Sequence, residues 1–213
     1  MYNTNIKAIL FDMDGVVIDS EKLYSQSEEK LLVQHGVRFE DSDWNYIKGC
    51  TEKQFYDLVY AKFDLKIARS KLVDQGRSFL MNVFTQKLHY MSGFNSIYPT
   101  IREKYKLALV TSTGPKLVNH IDKLLSINKK FDIVITSADT DKHKPMPEPY
   151  IYAADSLSVK TKECVVVEDS IQGIKAGKAA GCTVVALEGS IERKLLKEAD
   201  CIISHLSDIE NIL

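Results

Sequence analysis

The feature that most constrains this chain is a series of short apolar runs, each of strand length and several rich in β-branched residues. They fall at residues 6–11, 107–111, 133–136, 165–167, 184–187 and 201–203. From residue 107 onward, segments with helical character separate them, at residues 116–125, 149–156, 171–180 and 191–197. Strand–helix alternation predicts a parallel sheet with helices on both faces, because a parallel crossover needs a covering element. Proline and glycine punctuate it, with Gly114-Pro115 opening one helix and Gly181 closing another.

The alternation is interrupted once. Residues from about 21 to 90 read as helices, with apolar positions such as Leu58, Ala61 and Leu65, or Leu72, Phe79 and Val83, at helical spacing. The expected architecture is α/β: a Rossmann-like parallel-sheet core of residues 1–17 and 95–213, with a helical cap domain inserted at 18–94. Such a cap would cover the carboxyl edge of the sheet, where open α/β folds bind ligands.

Composition narrows the function classes. Of 213 residues, 45% are hydrophobic and 27% charged, enough to bury a core without disulfides. The net charge is −1 and the basic residues are scattered, so nucleic acid is not expected as a partner. No run approaches the roughly 18 apolar residues that span a bilayer, and no leader of signal-peptide length is apparent. A cytoplasmic protein is expected. No heptad or extended apolar seam is visible, so a monomer is expected. The four cysteines form no C-x-x-C pair and read as reduced thiols packed as small hydrophobes.

Polar chemistry gathers at the ends of the apolar runs. In Phe11-Asp12-Met13-Asp14-Gly15, two carboxylates at i and i+2 project to one side of the chain. Like charges about 4 Å apart repel by about 4 kcal/mol at an effective dielectric of about 20. A fold keeps such a pair with a cation between them or a shared proton. A second acidic pair, Glu168-Asp169, follows the run at 165–167 and can converge with the first, since parallel strands end at one edge. An oxygen-rich cluster of this kind suits Mg²⁺, which takes one or two carboxylates and keeps water and phosphate oxygens. Thr111-Ser112-Thr113-Gly114 offers hydroxyls and free N–H groups that can cradle phosphate oxygens. Lys144, in a loop held by Pro145 and Pro147, would offset the carboxylates and bind a phosphoryl group.

In this order the four pieces resemble the haloacid dehalogenase superfamily. The strings F-D-M-D-G-V-V-I-D-S, K-P-M-P-E-P-Y and V-V-V-E-D-S-I-Q-G-I-K-A look most like its β-phosphoglucomutase and phosphoglycolate phosphatase branch. The resemblance implies that Asp12 attacks phosphorus and becomes an aspartyl phosphate, while Asp14 serves as general acid and then base. It implies phosphoryl contacts from Thr111, Ser112 and Lys144. It also implies Mg²⁺ held by Asp12, the Asp14 carbonyl and Asp169, with Glu168 in the ligand set. True dehalogenases of the superfamily lack the second aspartate, so Asp14 argues against that activity. Where the mutases carry a cap histidine and arginine, this chain has Tyr24 and Glu52. With Lys48 and Lys53 these are the substrate-specificity candidates. His35, His89, His120, His143 and His205 match no motif position and are expected at the surface or in structural roles.

The expected function is therefore a magnesium-dependent phosphatase acting on a small phosphorylated metabolite. A hexose-phosphate mutase is the enzymatic alternative. A non-catalytic phosphate-ligand-binding domain on the same fold is the alternative of another class, and the intact set of Asp12, Asp14, Thr111, Lys144 and Asp169 speaks against it.

Overall fold

The computed structural model describes residues 5–47 and 50–213. Its sheet is built from β1 (Ala8–Phe11), β2 (Lys106–Val110), β3 (Ile133–Ile135), β4 (Cys164–Glu168), β5 (Thr183–Leu187) and β6 (Cys201–Ile203). All pairings are parallel, in the order β3-β2-β1-β4-β5-β6. The order reverses at β1, and a crevice opens beyond the carboxyl ends of the strands at such a switch point.

Alternation along the strands divides the core. Ile9 and Phe11 on β1 pack with Leu107, Leu109, Val165 and Val167 against α5 (Phe94–Lys104) and α6 (Pro115–Leu125). Ala8 and Leu10 face the other way, onto α7 (Glu148–Ser156) and α8 (Ile171–Ala179). Each fully buried Leu, Ile or Phe contributes about 1.5–3 kcal/mol, so both faces hold the strands in register.

Between β1 and α5 run α1 (Glu21–Gln34), α2 (Asp41–Ile47), α3 (Glu52–Lys62) and α4 (Arg69–Lys87). They bury an apolar cluster of their own around Leu31, Leu32, Phe55, Tyr56, Val59 and Leu72. Leu23, Leu80 and Phe84 instead join the sheet's core, so the helical layer is also seated on it. The two chain crossings are tied together: Met91 N–H donates to the Val17 carbonyl and Asp19 N–H to the His89 carbonyl.

Two local expectations differ from the structure. Residues 191–197 form no α-helix but a short 3₁₀ turn at Arg193–Leu195. A helix stands at Phe94–Lys104, carrying Pro99 in its interior, where no helix is evident from the sequence. Among the described residues no helix is long and apolar enough to cross a membrane.

Candidate active site

Strand register decides which acids meet. Phe11 lies between Leu109 on β2 and Val167 on β4, so Asp12, one residue on, is level with Val110 and Glu168. Asp12 and Glu168 follow the side-chain alternation of Leu10 and Val166 and project on the α7 side. Lys144 fills the space between them. Its ammonium donates to Asp12 Oδ1 at 2.5 Å, to Glu168 Oε1 at 2.6 Å and to the Val110 carbonyl at 3.0 Å. All three of its protons have acceptors, and the residue is 2% exposed. The two carboxylates raise the affinity of this ammonium for its proton against the opposing effect of burial.

Glu168 is fully buried and saturated. Oε1 also accepts from the Tyr150 hydroxyl at 2.9 Å, while Oε2 accepts from Asp169 N–H, Ser170 N–H and the Ser170 hydroxyl at 2.8–3.0 Å. Burial pushes its carboxyl upward, but Lys144 and these donors outweigh it and hold the group below the usual range. Room for the side chain comes from Gly173: a Cβ there would lie 1.6 Å from Glu168 Oε1. Gly15 serves Asp169 in the same way. Its φ is +75°, and a Cβ would lie 2.0 Å from Asp169 Oδ2.

Asp12, Glu168 and Asp169 bring one carboxylate oxygen each within 4.8 Å of one another. With Asp14 nearby, four acids face a single ammonium among the described residues. Burial raises Asp12 and Asp169 well above the ordinary carboxylate range, with the neighbouring acids adding to it; in Asp12, Lys144 opposes the rise. Among the described residues the acids of this cluster outnumber its one ammonium, and their hard oxygen donors fit a small divalent cation. Both oxygens of Glu168 accept from protein donors, whereas Asp12 engages one oxygen with Lys144 and Asp169 one with Ser190.

Asp14 is half-buried and oriented by hydroxyls. Ser20 donates to Oδ1 at 2.7 Å and Thr113 to Oδ2 at 2.8 Å, with Thr111 at 3.4 Å. Burial nevertheless raises its pKa. Tyr24, on α1, lies 3.2 Å from the Thr113 hydroxyl, which joins the helical layer to the Asp14 network. Burial and the Asp14 charge push this phenol well above its ordinary value, so it stays neutral.

A cavity of about 640 Å³ opens above these groups and is lined by Asp12, Asp14, Thr111, Ser112 and Asp169 from the sheet edge. Tyr24, Glu52 and Lys53 line its other side. Lys48 lies outside the described residues. The charge of Glu52 is met by Arg77 on α4 in a bidentate pair at 2.6 and 2.8 Å. Lys53 is occupied by Asp57 at 2.8 Å. Sequence reasoning missed Arg77, which lies 25 residues from its partner with no motif to mark it. His143 also lines the cavity, and His120 bridges the helical layer through Met81 and Thr85.

Comparison with known proteins agrees with this geometry. Residues 9–187 match the family model described as haloacid dehalogenase-like hydrolase, and the chain belongs to that family. It is 28% identical over 177 residues to the phosphorylated carbohydrates phosphatase of Thermotoga maritima, covering 83% of this chain and 82% of that one. It is 24% identical to the 6-phosphogluconate phosphatase of Escherichia coli, covering 85% and 82%. Its fold matches the crystal structure of β-phosphoglucomutase from Clostridium difficile at a TM-score of 0.81 and 20% identity, over 97% and 96% of the two chains.

Proposed function

We propose that this enzyme is a magnesium-dependent phosphatase that hydrolyses a small phosphorylated carbohydrate through a phosphorylated Asp12. The observation that carries the reading is the pairing of Asp12 with Lys144 at 2.5 Å, beside Asp14, on the floor of one cavity. The names of the two phosphatase relatives point the same way.

The chain's residues divide the work. Lys144, anchored by Glu168, fixes one Asp12 oxygen and leaves the other to attack phosphorus in line with the ester oxygen. Asp14, held by Ser20 and Thr113, carries a proton to the leaving oxygen and takes one from the incoming water. Its raised pKa suits the first role. Thr111 and Ser112 offer hydroxyls to the phosphoryl oxygens, and Lys144 contributes its charge. Asp12 and Asp169, with the Asp14 carbonyl, would hold Mg²⁺, which supplies Lewis-acid stabilisation of the phosphoryl charge. Glu168 acts as the anchor of Lys144.

Residues 18–94 would act as a cap that closes over bound substrate and excludes bulk water, hinged near 17–20 and 91–95. Water is favoured over a sugar hydroxyl as acceptor because Tyr24, in the mutase histidine's place, is a neutral phenol unsuited to act as a base. Free phosphate, measured colorimetrically with and without Mg²⁺ over a panel of sugar phosphates, tests the reading. Phosphate release that needs Mg²⁺ is expected. Conversion of β-glucose 1-phosphate to glucose 6-phosphate with little free phosphate would overturn it in favour of the mutase.

A further inference from the structure

Beyond β5 the chain makes a short loop, Glu188-Gly189-Ser190. It stands beside the end of β4, because the two strands pair as far as Glu168 opposite Ala186. The base of the loop is fixed. Glu188 N–H donates to the Ile203 carbonyl at 2.8 Å, and the Glu188 carboxylate accepts from Arg193 at 2.7 Å and Ser204 at 3.0 Å. Gly189 then takes a φ of +138°, a region open chiefly to glycine. The half-buried Ser190 follows, and its hydroxyl donates to Asp169 Oδ2, 21 residues away in the chain.

A third strand end closes on that hydrogen bond. A Cβ at Gly15 would fall 2.0 Å from Asp169 Oδ2 and 2.8 Å from Ser190 Oγ, so the bare Cα of the turn after Asp14 makes room for both partners. The contact is therefore set jointly by the chain beyond β1, β4 and β5. The other carboxylate oxygen of Asp169 has no hydrogen bond or ion pair among the described residues. Asp169 also stands within ligand spacing of Asp12 and Glu168. A carboxylate held by one oxygen and open at the other is oriented as a ligand, and hydrogen-bond partners that fix a ligand in this way strengthen metal binding. Ser190 is not among the residues lining the substrate cavity, so it acts on the site through Asp169.

We propose that Ser190 is a positioning residue for the metal site: its hydroxyl fixes Oδ2 of Asp169 and so presents the other oxygen to a divalent cation. The inference rests on the magnesium-dependent reading of the site and assigns part of the affinity for the ion to a loop residue that no motif marks.

The experiment measures cation binding to metal-stripped protein, by the electron paramagnetic resonance signal of free Mn²⁺ and by Mg²⁺ competition. It compares the wild type with Ser190→Ala, Ser190→Thr and Glu188→Gln. Ser190→Ala should bind both ions about tenfold more weakly or worse. The Mg²⁺ concentration for half-maximal phosphate release should rise in step. Ser190→Thr keeps the hydroxyl and should recover most of the affinity. Glu188→Gln loosens the base of the same loop without touching Asp169, and should bind as the wild type does. An unchanged affinity in folded Ser190→Ala overturns the proposal and leaves the magnesium reading standing. So does a loss as large in Ser190→Thr or Glu188→Gln, which would trace the effect to the loop and not to the hydroxyl. Should Ser190→Ala fail to fold, Ser190→Cys, a weaker donor, takes its place with the same expectation in smaller measure. Wild-type protein that binds neither ion would overturn the magnesium reading, and this inference with it.

Discussion

The two walls of the cavity are built on opposite principles. At the sheet edge, Lys144 and Glu168 have every proton and lone pair engaged, their positions set by strand register and the missing side chain of Gly173. Across the cavity, α1 offers Glu28 and Ser27 without partners among the described residues, and Glu52 and Arg77 pair at the exposed rim. A saturated network is rigid and preorganised for chemistry, whereas open polar groups on a helical wall await the part of the substrate that varies. Changes at the sheet edge should therefore cost kcat and stability together. Changes on the helical wall should redistribute KM.

The largest effect should come from Lys144→Met. It leaves Asp12 and Glu168 facing each other without the ammonium, a loss of about 3–5 kcal/mol of stability for a broken buried pair. Turnover should fall by about three orders of magnitude even where the variant stays folded, read by denaturant titration and phosphate release. A variant with near-native kcat would erase the distinction between the walls. Gly173→Ala comes next. The added Cβ displaces Glu168 and with it the anchor of Lys144, costing about 1–3 kcal/mol as an overpacked core does. Its kcat should fall while KM changes little.

On the helical wall, Arg77→Gln breaks an exposed pair worth about 1 kcal/mol or less, so the melting temperature should hardly move. Release of Glu52 at the rim should raise KM severalfold with kcat nearly intact. The smallest effect is one of pH. Glu28 faces Glu21, Tyr24, Cys50 and Tyr56, and its carboxyl stands at about 8 in the fold against an ordinary 4.5. Below 4.5 both folded and unfolded chains carry the proton. As pH rises from there toward 8, the unfolded chain releases the proton first, so stability is lost. Glu28→Gln lacks this loss, and its melting temperature should gain on the wild type between pH 5 and pH 8.5. Parallel melting curves across that range would show that Glu28 has a cation partner after all.

The sheet-edge wall was largely legible in the sequence. Asp12, Asp14, Thr111 and Asp169 sit at or just beyond strand ends, and parallel strands bring such ends together; Lys144 comes in from the loop before α7. What could not be read was the division of labour, because it depends on register. Glu168 sits within the metal-ligand spacing, yet it is spent on Lys144, Tyr150 and the turn at Ser170. The helical wall was opaque. Glu28 and Arg77 have the spacing of any solvated helix face, and only tertiary packing turns one toward the cavity and pairs the other with Glu52. The helix at Phe94–Lys104 was hidden by its internal Pro99. The expected helix at 191–197 was too short a run to outweigh the local 3₁₀ turn.

The central claim is that Asp12 carries the phosphoryl group. The most direct measurement is rapid acid quenching of the enzyme during turnover of a ³²P-labelled sugar phosphate, followed by peptide mapping. Label on the Asp12 peptide that disappears in Asp12→Asn and in excess chelator is the predicted result. Phosphate release by Asp12→Asn at the wild-type rate, or label on any other residue, would contradict it.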